Sequence, residues 1–337
     1  MSRTSWPTAA ITRRGALVLA ATGVVACTQR GSTRTIRLII GTAPGGGNDI
    51  FCRLLAPHLQ QILGRPVQVE NEGRASGRLA ASRLMSMPRD GSVIGFLPAP
   101  LIYENLLSGS GAATDLTRFS WLGSIGTDRR ILVVNRQSGI ISFADMLARS
   151  RPTILAASSA TSASYVEPLI INHLTGANLK PVPGYSGGAR TLAVVSGEAD
   201  GVVGGQDSLT RLLETPGTRR ILRLNDPSGP DSSDVPNLAD LARGPDRIPL
   251  LGLISACASL GRMFALPPGA SPAVLARWRG LLDRVVADPS FRQAATDQGF
   301  TLERLSGAGV SQALAGLFDT SSAVTPALRR ALGTTAR

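Results

Sequence analysis

Lysine is almost missing from this 337-residue chain: Lys180 is the only one, so the other basic residues are all arginine. Aromatic residues make up only 4%, and the arginines form no clustered basic run. Both scarcities argue against a nucleic-acid surface built on phosphate contacts and base stacking. Histidine occurs twice, at His58 and His173. Two scattered histidines and isolated cysteines offer no metal-ligand spacing, and no cofactor is expected. Both histidines fall on apolar helical stripes, where satisfied core side chains lie. Cys52 and Cys257 sit among apolar neighbours, so buried free thiols are expected there. Long apolar runs are missing too. The stretch from Ile248 to Gly261 stops at Arg262, too short to span a bilayer, and reads as a buried strand with its continuation.

The first 27 residues read as an export signal rather than as part of the fold. Arg13-Arg14 precedes a short apolar run that ends in Val24-Val25-Ala26-Cys27. A small residue before a cysteine marks a lipoprotein cleavage box, and the twin arginine points to the Tat route, with Sec as the alternative. Cys27 is then the lipidated mature N-terminus, and the anchor is the expected membrane contact. Net charge is +12, of which Arg3, Arg13 and Arg14 leave with the signal. A positive protein outside the cytoplasm draws in anionic solutes.

The remaining length suits two domains of ordinary size. Strand and helix patterns alternate: Ile36 to Ile40 is β-branched and strand-like, and the next segment carries apolar residues at 3.6-residue spacing from Phe51 to Leu63. Asn48 or Asp49 is positioned to cap that helix and Gly64 to close it. Later, Thr153 to Ala157 reads as a strand, and Ser164-Tyr165-Val166-Glu167 as a capping box that opens a helix to Leu174. Residues 226–246, rich in Pro, Asp, Ser and Gly, read as a surface excursion. Repeated strand–loop–helix units imply an α/β fold with largely parallel sheets, in which ligands bind where strands end and helices begin.

Two such junctions stand out. The first is Pro44-Gly45-Gly46-Gly47-Asn48-Asp49. A P-loop needs Lys and then Ser or Thr after its last glycine, and a dinucleotide fingerprint needs Gly where Ile50 stands, so both nucleotide readings fail. Free backbone N–H groups at a helix N-terminus remain, and they receive a carboxylate as readily as a phosphate. The second junction, Ser158-Ser159-Ala160-Thr161-Ser162, offers hydroxyls beside helix-end amides. A rival is Gly184-Tyr185-Ser186-Gly187-Gly188, which matches the G-x-S-x-G nucleophile elbow. That elbow is followed in the chain by an acid and then a histidine, whereas His58 and His173 both precede Ser186. Asp49, Glu70, Glu198, Asp200 and Asp207 are acidic candidates, but no pair is spaced for acid–base work. An exported two-domain protein with an anion-friendly cleft and no catalytic set has the profile of a solute receptor, not of an enzyme.

The motifs also resemble a known family. Pro44 to Ile50, Val69-Glu70-Asn71 with Gly77, Asp90-Gly91, Gly184 to Gly188 and Gly197-Glu198-Ala199-Asp200-Gly201 occur in the order found in the solute-binding proteins of tripartite tricarboxylate transporters, the Bug receptors. The resemblance implies a type II periplasmic-binding-protein-like fold, two α/β domains around a ligand cleft: residues 35–134 plus 249–337 as domain 1, and 135–248 as domain 2. It implies capture of a small carboxylate (a di- or tricarboxylate, an acidic amino acid or an aromatic acid) in the periplasm. The partners would be membrane permease subunits or a sensor kinase. Carried over, the ligand contacts are Gly45, Gly46, Gly47 and Asn48, with Asp49 shaping the loop, then Ser158, Ser159, Thr161, Ser162, Tyr185 and Gly187. The chain departs from the family at Asn48, at Arg74, and in the absence of a glycine from the second loop. The alternative is a secreted esterase-like hydrolase using Ser186.

Overall fold

Residues 34–109, 114–225 and 235–334 are described in a computed structural model. Arg13-Arg14, Cys27 and the rest of the export signal lie outside the described residues, as do residues 226–234 of the polar excursion. Residues Thr35–Arg337 cluster as a unit of their own.

The chain opens on strand β1 (Ile36–Ile40), helix α1 (Gly47–Leu63) and β2 (Val67–Asn71). After a 3-10 turn at Arg74–Gly77 come α2 (Arg78–Met85), β3 (Val93–Pro98), α3 (Leu101–Ser108) and β4 (Ser120–Ile125). The middle of the chain holds β5 (Arg130–Asn135), α4 (Phe143–Leu147), β6 (Thr153–Ala157), α5 (Ala163–Thr175) and β7 (Leu179–Pro183). Then follow α6 (Ala189–Val195), β8 (Gly201–Gly205), α7 (Gln206–Leu213) and β9 (Thr218–Arg223). The last third comprises α8 (Leu238–Leu241), α9 (Arg247–Leu260), β10 (Arg262–Leu266), α10 (Pro272–Ala287), α11 (Pro289–Asp297), β11 (Arg304–Ser306), α12 (Gly307–Asp319) and α13 (Ser321–Ala331).

The strands form two sheets, ordered β11-β4-β10-β3-β1-β2 and β7-β6-β8-β5-β9. Each is mixed. In the first, β1 runs parallel to β2 and β3 while β10 is antiparallel to β3 and β4. In the second, β6 is parallel to β7 and β8 while β5 is antiparallel to β8 and β9. The chain passes from the first sheet to the second between β4 and β5, and returns between β9 and β10. Arg130–Asn135 thus belongs to the second sheet.

Both faces of the first sheet are buried, which is why its strands read as apolar runs rather than as alternation. Leu38 and Ile40 point to one side, against Phe51, Leu55 and Leu59 of α1 and Leu282 and Val285 of α10. Ile39 points to the other, into a cluster that includes Leu84. That second cluster continues through α5, α9, α12 and α13 to Leu132, Val134, Leu155 and Val203 of the other sheet. The sheets therefore share apolar packing on one side, and their strand ends are left to line a cleft.

Several sequence expectations are corrected, among them the N-cap of α1, which is Gly46 rather than Asn48 or Asp49. Residues Arg247–Leu260 form a helix, not a strand. Leu250, Leu253, Ile254, Cys257 and Leu260 are its buried stripe, but Ile248, 81% exposed, and the half-buried Leu251 are apolar too and blur the period. The capping box also fails: the N-cap of α5 is Ser162, while Glu167 is fully buried and bonded elsewhere. His173 is exposed at the edge of α5, 2.8 Å from Asp246, rather than in the core. His58 does pack, edge-on to Phe291 at 5.2 Å. Cys52 and Cys257 are free and buried, and burial pushes both thiols up.

Candidate functional site

The Gly-rich junction follows β1 directly. Gly45 has φ +75°, a left-handed conformation that favours glycine. Gly46 is the N-cap of α1 with no side chain to cap it. The N–H groups of Gly47 and Asn48 have no carbonyl behind them in the helix, so they are open to a ligand. The loop is braced from behind. Asp49 accepts the Gly45 N–H at 2.9 Å, Arg53 Nε at 2.9 Å and Asn71 Nδ2 at 2.9 Å, and Asn71 Nδ2 also donates to the Thr42 carbonyl at 3.1 Å. Burial works against the Asp49 charge, yet these donors hold its carboxyl below the ordinary aspartate value. Gly73 backs the same loop so closely that a Cβ there would lie 2.4 Å from the Ala43 nitrogen.

The second junction, after β6, is tied to itself. The Ser158 N–H reaches Ser164 Oγ at 3.1 Å, Ser162 Oγ donates to the Ser159 carbonyl at 2.7 Å, and Ser162 and Ser164 hydroxyls lie 2.9 Å apart. One hydroxyl set crosses between the sheets: Ser76 Oγ lies 2.5 Å from Ser159 Oγ and 3.0 Å from Thr161 Oγ1. Ala75 and Ser76 themselves have φ of +49° and +54°, which non-glycine residues adopt at a cost.

The two junctions border one cleft. Gly46, Gly47, Asn48, Ser158, Ser159, Ser162 and Gly187 line it. Gly45, Asp49, Thr161 and Tyr185 do not: Asp49 sits behind the loop, and the Tyr185 hydroxyl donates to Glu198 at 2.7 Å on the surface. A Cβ at Gly187 would lie 2.3 Å from the Pro44 carbonyl oxygen, and one at Gly47 would lie 2.3 Å from Ser208 Oγ. Loops of the two sheets thus approach each other at the cleft.

Sequence reasoning missed the charged lining. Arg130, Arg190, Arg262 and Asp128 all reach the cleft. Arg130 donates to Glu167 through Nε and through Nη2 at 2.7 Å, and to Asp128 at 3.0 Å. Tyr103 donates to the same Glu167 at 3.1 Å. Arg262 lies 3.3 Å from Asp207 and between the rings of Phe51 and Phe300, at 4.7 and 4.8 Å from their centroids. Only contact patterns could have found these residues, because isolated arginines separated by tens of positions carry no motif. Arg74, by contrast, is exposed and paired with Glu72 at 2.9 Å.

The acidic candidates all have structural partners. Glu70 pairs with Arg37, Asp200 accepts the Ile154 N–H, and Asp207 accepts the Thr301 N–H. Ser186 lines the cleft, but neither His58 nor His173 does. Among the described residues, no group of three or more His, Cys, Asp or Glu is arranged to hold a metal ion. No described helix is long and apolar enough to cross a membrane.

The fold is that of the periplasmic binding proteins, two mixed α/β sheets around a cleft. It superposes on MatC of Rhodopseudomonas palustris, solved with bound malate, with TM-score 0.72 and 20% identity over 87% of this chain and 99% of that one. In sequence, a UPF0065 protein of Cupriavidus necator is 41% identical over 86 residues, 26% of each chain. BugT of Bordetella pertussis is 24% identical over 62% of this chain and 66% of its own. The matched stretches thus span less than two thirds of these relatives. No family model matches the chain. The chain is thus similar in sequence to UPF0065 and Bug proteins.

Proposed function

We propose that this protein is an extracytoplasmic receptor that captures a small carboxylate and delivers it to the permease subunits of a tripartite tricarboxylate-type transporter. In this reading it is exported by Tat or Sec and held at a membrane by lipidated Cys27, with no catalytic role. The two sheets support a division into two lobes that close on the ligand, with the chain crossing at residues 126–129 and again between β9 and β10. The observation that carries the reading is the junction at Gly46, Gly47 and Asn48. It presents helix-end amides to the cleft and is braced by Asp49 and Asn71 rather than by a lysine. Such amides suit a carboxylate oxygen, which accepts and does not donate. The malate bound in MatC is a small carboxylate of the kind proposed.

A hydrolase using Ser186 lacks support, since no hydrogen bond joins the Ser186 hydroxyl to a base among the described residues. Melting the purified protein with di- and tricarboxylates, acidic amino acids, aromatic acids and their matched neutral amides tests the receptor. An acid at about a hundredfold over its dissociation constant adds about 2.7 kcal/mol, a readily measured rise in Tm. Acids are expected to raise the Tm and amides to leave it unchanged. Equal shifts from both would defeat the helix-end mechanism.

A further inference from the structure

Three arginines reach the cleft, and two of them already have carboxylate partners. Arg130 is held by Glu167 and Asp128, and Arg262 pairs with Asp207 through Nη2 and lies against two aromatic rings, its Nε and Nη1 without a hydrogen-bond partner among the described residues. Arg190, in the first turn of α6, makes no hydrogen bond and no ion pair among the described residues, and its Nε is shielded from solvent without a partner there. Asp128 and Glu167 are within electrostatic range, but both contact Arg130, which repels Arg190. Loss of solvent, and then the Arg130 charge, pull the Arg190 guanidinium down to about 10, so it stays cationic at neutral pH while being poorly compensated. A half-buried guanidinium whose Nε is shielded and which has no carboxylate bonded to it is costly, and an anion entering the cleft offsets that cost.

The position of Arg190 adds direction. Its helix packs on the second sheet, with Ala193 and Val194 buried against Val202 and Ala156. The amides at Gly46, Gly47 and Asn48 follow a strand of the first sheet. Both line the same cleft, from opposite sheets.

We propose that Arg190 is the ion-pairing anchor and specificity determinant of this site. Its guanidinium fork holds one anionic group of the ligand while the amides at Gly46–Asn48 hold another, so the cleft prefers small molecules with two separated anionic groups over singly charged ones. This rests on the carboxylate-receptor reading and deepens it. A planar fork binds a carboxylate through two parallel N–H donors, a geometry that an ammonium does not reproduce. Asp128, the carboxylate lining the cleft, is engaged by Arg130, so Arg190 is the cleft arginine without a carboxylate partner among the described residues.

Calorimetric titration of the purified protein and of Arg190→Met and Arg190→Lys tests this. The probes are succinate, glutarate and adipate, each against its own monoamide. The native protein is expected to bind the best dicarboxylate roughly ten- to a hundredfold more tightly than its monoamide, as expected for one charge-assisted contact. Arg190→Met is expected to lose that factor for the diacid while holding the monoamide within about threefold, with Arg190→Lys between the two. If Arg190→Met binds the diacid like the native protein, the proposal falls and the receptor reading stands. Equal losses for diacid and monoamide also overturn it, because the two-point selectivity is then absent. If the native protein binds none of these diacids, the two-point proposal falls, and the receptor reading falls with it only if the wider panel of acids also leaves the Tm unchanged. Should Arg190→Met not fold, Arg190→Lys carries the comparison: unchanged diacid affinity overturns the proposal, and a selective loss supports it.

Discussion

Gly47 is the residue whose smallness is most directly tied to the cleft. A methyl group there would lie within 2.3–2.8 Å of Ser208 side-chain and backbone atoms on α7. Those atoms belong to the other sheet's side of the cleft, so the two loops would be held apart. Gly47→Ala is therefore expected to weaken binding of the preferred acid by roughly tenfold or more. The Tm of the unliganded protein should move by only a few degrees, since the opened form accommodates the methyl. Calorimetry beside thermal melting checks both halves. A Gly47→Ala protein with native affinity would mean that the loops do not need to meet. The glycines of this loop were legible in the sequence because three in a row after a proline exceed what a turn requires. Their bracing by Asp49 and Asn71 is only half legible there: Asp49 stands beside the glycines in the chain, but the role of Asn71 depends on β2 lying parallel beside β1. Arg190 was invisible, since nothing in a single arginine marks it as unpaired until its neighbours are placed.

At the scale of elements, Asp246 joins three helices. It sits at the N-cap of α9, accepts from Arg330 of α13 at 2.5 and 2.9 Å, and lies 2.8 Å from His173 of α5. Arg330 first, with His173 adding to it against a burial cost, lowers the Asp246 carboxyl to about 2. A carboxyl depressed on folding stabilises the native state above its unfolded value of 3.8. That stability is lost as pH falls from there through about 2. Because Arg330 is more than half exposed, solvent screening reduces the contribution to about 1–2 kcal/mol. Asp246→Asn is expected to lower the neutral-pH stability by that amount and to flatten acid unfolding between pH 4 and 2, measured by denaturant melts across pH. A native-like acid limb in the variant would exclude this linkage.

Elements were legible where burial alternates with exposure and illegible where it does not. The strands at Ile36–Ile40, Arg130–Asn135 and Thr153–Ala157 and the helix α1 follow the periods of the sequence. Helix α9 does not, because apolar residues also lie off the stripe at Leu250, Leu253, Ile254 and Cys257 and hide it. The motif at Ser164 and Glu167 has the spacing of a capping box, but a buried guanidinium at Arg130 is a stronger partner for Glu167 than a backbone amide.

For the whole molecule, two sheets share apolar packing on one side and face each other across a cleft on the other. Ser76, Ser159 and Thr161 bridge that cleft through hydroxyls, and the Pro44–Gly47 and Gly187–Gly188 loops touch. In the proposed reading this is the closed arrangement, and a ligand held from both sides would stabilise closure by its difference in affinity for the closed and open forms. The α/β architecture was readable from repeated strand–loop–helix units. The antiparallel strands β5 and β10 that make both sheets mixed were not, because pairing direction depends on where the chain crosses between sheets. The central claim is that the helix-end amides of the first junction receive a carboxylate. The most direct measurement is an amide-resolved NMR titration with the acid that most raises the Tm, against its neutral amide. The account predicts that the Gly46, Gly47 and Asn48 N–H resonances move downfield and saturate with the acid alone; saturating binding that leaves these three unmoved, or moves them equally with the neutral amide, would contradict it.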